Sequence, residues 1–203
     1  MNIEINCHSS IKIIGDKIIY VDPFRIKENK NDADIIFITH DHYDHYSLED
    51  IEKVKKQNTI IVMPEHLERK DDLKDAVIVM PNKKYQVEGI NVETIPSYNI
   101  NKPYHPKENN WVGYILNNEG KRIYIPGDTD ITEENMKIQC DILFVPIGGT
   151  YTMNYEEGAK LTNIIKPKVA IPVHYGEIVG RKEDAKEFKK LLEKDIECKI
   201  LIK

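Results

Sequence analysis

The run Asp34-Ile35-Ile36-Phe37-Ile38-Thr39-His40-Asp41-His42-Tyr43-Asp44-His45 limits what this chain can fold into more than any other stretch. Its first half is nearly all apolar, the pattern of a strand buried on both faces. Its second half places three histidines and two aspartates within six residues. Burying several imidazoles and carboxylates together without partners is costly, and a divalent cation offsets that cost by coordinating them. In an extended segment, side chains two apart face the same way. His40 and His42 can therefore address one ion, while Asp44 and His45, on the turn beyond, reach a second. The expectation is a two-ion site at the end of a buried strand.

Short β-branched runs surround this segment. Strands are expected over residues 3–6, 11–14, 18–22, 59–63, 76–80, 90–96, 111–116, 122–126, 142–146 and 169–172. Gly15-Asp16-Lys17 marks a hairpin turn between two of them. Ser47 followed by Asp50 predicts a helix N-terminus, with Leu48, Ile51 and Val54 at helical spacing. Further helices are expected from Asn154, with Glu157 in the capping-box position, to about residue 165, and over 182–193; a short charged one over 65–70 would carry His66. Residues 97–110, rich in Asn, Pro and Lys, read as a long loop of the kind that often carries function. Strands outnumber helices, so the fold class is α/β (α+β). No repeat, low-complexity tract or linker interrupts the chain, and residues 1–203 are expected to form one domain.

Composition narrows the classes. No apolar run approaches a membrane span and no leader pattern follows Met1, so a cytoplasmic protein with no membrane partner is expected. A formal net charge of −5 with interleaved Lys and Glu argues against nucleic acid as a partner. The three cysteines, Cys7, Cys140 and Cys198, are too scattered for a disulfide framework or a thiolate metal site. A G-x-S-x-G elbow, a P-loop and a dinucleotide fingerprint are all missing, which leaves nucleophilic-serine, nucleotide and hydride chemistry without support.

The motif His40, His42, Asp44, His45 resembles the H-x-H-x-D-H signature of the metallo-β-lactamase-fold superfamily. Gly127-Asp128-Thr129 is similar to its G-D-T element, and residues 171–176, Ile-Pro-Val-His-Tyr-Gly, are similar to its late strand ending in a histidine. Asp22-Pro23, Tyr98-Asn99, His105-Pro106, residues 111–114 and residues 146–151 resemble its small hydrolase branch related to the ascorbate-6-phosphate lactonase. The resemblance implies a four-layer αββα sandwich with metals at one edge. It also implies that His40, His42 and one further histidine hold a first metal, that Asp44, His45 and His174 hold a second, and that Asp128 bridges them. Where much of the superfamily has the remaining histidine this chain has Asn99, and His105, six residues on, is the candidate. For His105 to serve, its loop must fold back over the site; otherwise it is a solvated loop residue.

Two divalent ions about 3.5–4 Å apart would share a water, lower its pKa and polarise the attacked oxygen, so metal-assisted hydrolysis of a small ester-type substrate, a phosphodiester or a lactone, is expected. Zinc is the default ion for such ligands, with manganese, iron or nickel as substitutes. Asp44 and His8 are the candidate catalytic side chains, His8 as a proton donor. Asp22 could orient a ligand imidazole, Tyr151 could line the site, and Trp111 and Tyr114 belong to the core. Lys102 and Lys107, in the loop bordering the metals, would suit a phosphorylated substrate. A di-iron oxidoreductase and a non-catalytic metal-binding module are the competing readings; the sequence does not specify an oligomeric state.

Overall fold

The computed structural model describes residues 1–67, 73 and 75–202. One sheet contains β1 (Asn2–Ile5), β2 (Ile11–Ile14), β3 (Ile18–Val21), β4 (Ala33–Phe37), β5 (Lys55–Pro64) and β6 (Val77–Val79), paired in that order. The other contains β7 (Lys84–Val87), β8 (Ile90–Pro96), β9 (Val112–Asn118), β10 (Lys121–Ile125), β11 (Ile142–Pro146), β12 (Val169–Val173) and β13 (Glu197–Cys198). These too lie side by side in chain order, from β7 at one edge to β13 at the other. The helices are α1 (Leu48–Val54), α2 (Tyr155–Ile165) and α3 (Asp184–Leu191).

Alternation along the strands explains the layering. In β4, Ile35 and Phe37 face the second sheet, whereas Ile36 and the following Ile38 face α1, which contributes Ile51 and Val54. In β11, Ile142 and Phe144 face the first sheet, while Leu143 and Val145 meet α2 and α3 through Ala159, Leu161 and Phe188. Three apolar layers therefore separate four layers of secondary structure, and the sheets form an αββα sandwich. The near-continuous apolar runs of β4 and β11 follow from burial on both faces.

The capping box at α2 is present: Asn154 accepts from the Glu157 backbone N–H, and Glu157 reciprocates. Two strands escape a reading by hydrophobic pattern. β7, Lys-Tyr-Gln-Val, is a polar edge strand that pairs with β8, and β13 is only two residues long. β5 starts directly at the C-cap of α1, earlier than its apolar stretch suggests, and α3 begins two residues later than expected. Of the helix expected over 65–70, residues 68–70 lie outside the described residues, and Glu65, His66 and Leu67 are not helical. No helix among the described residues is long and apolar enough to cross a membrane.

Gly113 lets β9 pass against the segment that leads from β10 toward Asp128. A Cβ there would lie 2.6–2.8 Å from backbone atoms of Pro126. Gly113→Ala is expected to cost about 1–3 kcal/mol through forced separation of these backbones. Urea denaturation checks this, and a change below about 0.5 kcal/mol, the size of an ordinary surface substitution, would show that the segment yields freely.

Candidate metal centre

Strand direction gathers the polar residues. β1, β3 and β4 run the same way, since β2 is antiparallel to both β1 and β3 and β4 is parallel to β3. In the second sheet β8, β10 and β12 share a direction for the same reason. His8 follows β1, Asp22 follows β3, His40 to His45 follow β4, His105 lies in the loop after β8, Asp128 follows β10 and His174 follows β12. Every one of these side chains thus leaves the C-terminal end of a strand, and the two sets of strand ends meet. Ring centroids are 3.8 Å apart for His8 and His174, 4.1 Å for His40 and His45, and 4.7 Å for His42 and His105. After His42 the chain turns sharply, with the N–H groups of His45 and Tyr46 both donating to the His42 carbonyl. That turn separates His40 and His42 from Asp44 and His45.

Two groups of donors result. His40, His42, His105 and Asp128 form one, and His8, Asp44, His45 and His174 form the other; within each, one ligand atom per residue lies within 4.8 Å of all the rest. They use six of the chain's seven histidines, leaving only the exposed His66 outside. Asp128 stands between the groups. Its Oδ2 is 3.4 Å from His105 Nε2 and 2.9 Å from His174 Nε2, and its Oδ1 is 3.3 Å from His45 Nε2. Despite these short distances, His45 Nε2, His105 Nε2, Asp128 Oδ1 and both ring nitrogens of His174 are buried without a hydrogen bond, as is His8 Nδ1. Each unsatisfied buried polar atom costs about 1–3 kcal/mol, so their concentration here fits a divalent ion held by nitrogen and oxygen donors.

A surrounding layer fixes the donors. Asp22 Oδ2 accepts from His45 Nδ1 at 2.8 Å, which leaves His45 Nε2 facing the centre. Asp22 is itself held by the Thr39 backbone N–H and hydroxyl at 2.8 and 2.7 Å. Trp111 packs against His40 and His42, with ring centroids 5.0 Å away in each case, and its indole N–H donates to the His66 carbonyl. His8, Asp22 and His174 all adopt left-handed backbone conformations, with φ of 51°, 48° and 57°. Such strain in non-glycine residues persists only where the surroundings enforce it, and it clusters at functional sites. Gly148 lies so close to His174 that a Cβ would sit 2.3 Å from its carbonyl oxygen and 3.0 Å from Nδ1.

The loop of residues 97–110 does fold back. Asn99, at the position where the resemblance places a histidine, accepts through Oδ1 from both the backbone N–H and Nδ1 of His105 at 3.1 and 3.0 Å. Its own N–H donates to the His105 carbonyl. His105 is completely buried, its Nε2 directed at Asp128. Sequence spacing could not reveal this exchange, because it depends on a six-residue loop closing on itself. The two lysines of the loop do not face a ligand as free cations. Lys102 is paired with Asp130 and donates to the Thr152 carbonyl, and Lys107 is paired with Glu134 and the Tyr98 hydroxyl.

Electrostatics follows burial. Desolvation lowers the pKa of His8 to about 4, despite its hydrogen bond to Asp44, and it also lowers His40 and His42. For His45 burial acts in the same sense, but the carboxylates of Asp128, Asp44 and Asp22 outweigh it and raise the pKa well above the usual range. Burial alone would raise Asp128 and Asp44, yet the neighbouring imidazoles hold both below the ordinary carboxylate range.

Known proteins resemble the chain in sequence and in fold. The family described as beta-lactamase superfamily domain matches residues 3–174. The chain belongs to that superfamily, and its sandwich is the metallo-β-lactamase fold. A UPF0173 metal-dependent hydrolase of Thermococcus onnurineus is 29% identical over 209 residues, covering 96% of this chain and 93% of the relative. A second from Thermoplasma acidophilum is 30% identical over 199 residues, covering 91% and 87%. The crystal structure of a candidate metal-dependent hydrolase from Parabacteroides distasonis superposes with a TM-score of 0.85 at 30% identity, covering 99% of this chain and 93% of that one. Within the superfamily, the chain is a member of the UPF0173 metal-dependent hydrolase family.

Two outcomes are expected. Asn99→Ala removes the acceptor that fixes His105 and should weaken metal affinity roughly 10- to 100-fold, measured by competition with a chromophoric chelator. In chelator-stripped protein, His8, His40 and His42 stay neutral when folded and take up protons on unfolding, so stability should fall as pH drops from about 6.5 to about 4. For His8 alone the loss is on the order of 3 kcal/mol. Asp22, whose pKa burial raises, offsets at most one of these protons, and His45 changes its contribution only above pH 6.5. Urea midpoints at pH 7 and pH 5 decide the matter: equal values would sink this account.

Proposed function

We propose that the chain hydrolyses an ester-type bond, in a lactone or phosphodiester of a small molecule, at a centre holding two divalent ions. Zinc is the first choice and manganese, iron or nickel are alternatives, because imidazole and carboxylate donors discriminate weakly among them. The observation that carries this reading is the pair of adjacent four-residue donor groups with Asp128 between them, lined with buried nitrogens and oxygens that no protein group satisfies. His40, His42 and His105 are assigned to one ion, Asp44, His45 and His174 to the other, and Asp128 to both.

When bound, such an ion pair supplies hydroxide near neutral pH and polarises the oxygen of the bond under attack. The protein's own part is to position and to exclude water. Asp22 and Asn99 hold His45 and His105 through their Nδ1 atoms, so both rings enter the reaction already oriented. Trp111 closes the side of the centre behind His40 and His42. Burial keeps His8 neutral near pH 7, so it is not the proton donor that its position in the sequence suggested; its Nε2–H holds Asp44 Oδ2, 3.0 Å away, and so orients that carboxylate. Water adds across the ester C–O or P–O bond, giving an acid and an alcohol.

Elemental analysis of protein purified without added metal should give about two ions per chain, and His105→Ala should give fewer. Chelation should abolish turnover of lactone or phosphodiester substrates, and zinc should restore it. His8→Leu should lose about 10- to 100-fold in activity, the usual cost of releasing a side chain that a neighbouring group orients. Two irons with a visible absorption band and no hydrolysis would favour an oxidoreductase instead.

A further inference from the structure

Resting on the two-ion reading above, we infer that Asn6 and Asp50 are positioning residues for one ion of the pair, the one assigned to Asp44, His45 and His174. They act through a short segment, Phe24-Arg25-Ile26, that carries no metal ligand and belongs to no strand or helix.

The segment lies where regular pairing ends. Asp22 and Arg25 have left-handed backbones, with φ of 48° and 51°, and Pro23 carries no N–H. Even so, every backbone N–H and carbonyl of Phe24, Arg25 and Ile26 is bonded, and to side chains throughout. Ser10 Oγ accepts from the Phe24 N–H at 3.0 Å, and Asn6 Nδ2 donates to the carbonyls of Phe24 and Arg25 at 2.6 and 3.1 Å. Asp50 accepts from the N–H groups of Arg25 and Ile26, one on each carboxylate oxygen, both at 2.8 Å. Lys53 Nζ donates to the Ile26 carbonyl at 2.9 Å. About two-thirds of protein hydrogen bonds join backbone to backbone, so a stretch held wholly by side chains is placed largely by them.

Those side chains come from the two elements next to the donors. Asn6 and Ser10 flank the turn that carries His8, and the Asn6 N–H closes it on the Ser10 carbonyl. His8 holds Asp44 through its ring, and its carbonyl accepts from the His174 N–H at 3.1 Å. On the other side, Asp50 and Lys53 belong to α1, whose first residue, Leu48, closely follows His45. The segment itself continues from Asp22, which holds His45, and the Arg25 guanidinium reaches Glu177, just beyond His174. Asp44, His45 and His174 are thus each joined to this segment by a few contacts. Among the described residues, no hydrogen bond of His42, His105 or Asp128 reaches it, and His40 is linked only through Thr39 and Asp22.

Selectivity follows. Loosening the segment releases the donors of one ion and leaves His105, with the Asn99 that holds it, in place. Asn6 suits the test because it is exposed, so its truncation opens no core cavity.

The test is zinc binding to chelator-stripped protein, read by competition with a chromophoric chelator, for wild type, Asn6→Ala and Asp50→Asn, each also combined with His105→Ala or His174→Ala. Asn6→Ala is expected to weaken one zinc ion about 10- to 100-fold and leave the other nearly unchanged. The effect should persist beside His105→Ala and vanish beside His174→Ala, where the ion that depends on Asn6 is already lost. Urea midpoints of the metal-free proteins separate this from a general loss of stability. Equal weakening of both ions, no weakening, or an effect that survives His174→Ala overturns the inference while leaving the hydrolase reading intact. Should Asp50→Asn fail to fold, Asn6→Ala alone decides. A wild-type chain that holds a single zinc ion overturns the two-ion reading and this inference with it.

Discussion

The carboxylate of Asp128, enclosed among the imidazoles of His40, His45, His105 and His174, is the constraint on which the rest of the structure depends. A charge this deeply placed is tolerable only when surrounded by partners of opposite charge and by hydrogen-bond donors, and here those partners come from both sheets. The parallel course of β1, β3 and β4, matched by that of β8, β10 and β12, delivers them to one edge. Sheet topology and site chemistry are thus two descriptions of one requirement.

Support for the centre is carried by side chains that contact no reacting atom. Asp22 and Asn99 each use one oxygen to hold an imidazole and spend their remaining capacity on backbone or hydroxyl groups nearby. Because Asn99 joins His105 to Tyr151, the long loop is as much a part of the centre as the strand ends are. Its two lysines act as clasps, Lys102 on Asp130 and the Thr152 carbonyl, Lys107 on Glu134 and the Tyr98 hydroxyl.

Much of this was legible in the sequence, for identifiable reasons. The apolar run of β4 ending in His40 announced both a doubly buried strand and a polar centre at its end, since nothing else explains such a density of imidazoles. The capping box at Asn154 located α2. Pattern was silent where stability comes from pairing alone: β7 is polar because it is an edge, and β13 is too short to have a period. The enclosure of His105 was written in the chain only as a pair of residues six apart, and the partner that fixes it, Asn99, looked like a missing ligand. The role suggested for Lys102 and Lys107 rested on position in a loop, and the acidic partners that engage them arrive from beyond β10, at Asp130 and Glu134.

The order in which the donors occur along the chain has a consequence for biosynthesis. His8 and the dense run from His40 to His45 are made early, whereas Asp128 and His174 come much later. At ordinary translation rates the interval between His45 and His174 lasts on the order of ten seconds. On the proposed ligand assignment, a nascent chain presents throughout that interval a histidine-rich tract able to capture an ion without the carboxylate of Asp128 and the imidazole of His174. On that same assignment, the finished fold would fix its metal by exchange after synthesis, and burial of the donors would set how slowly an ion captured early can leave.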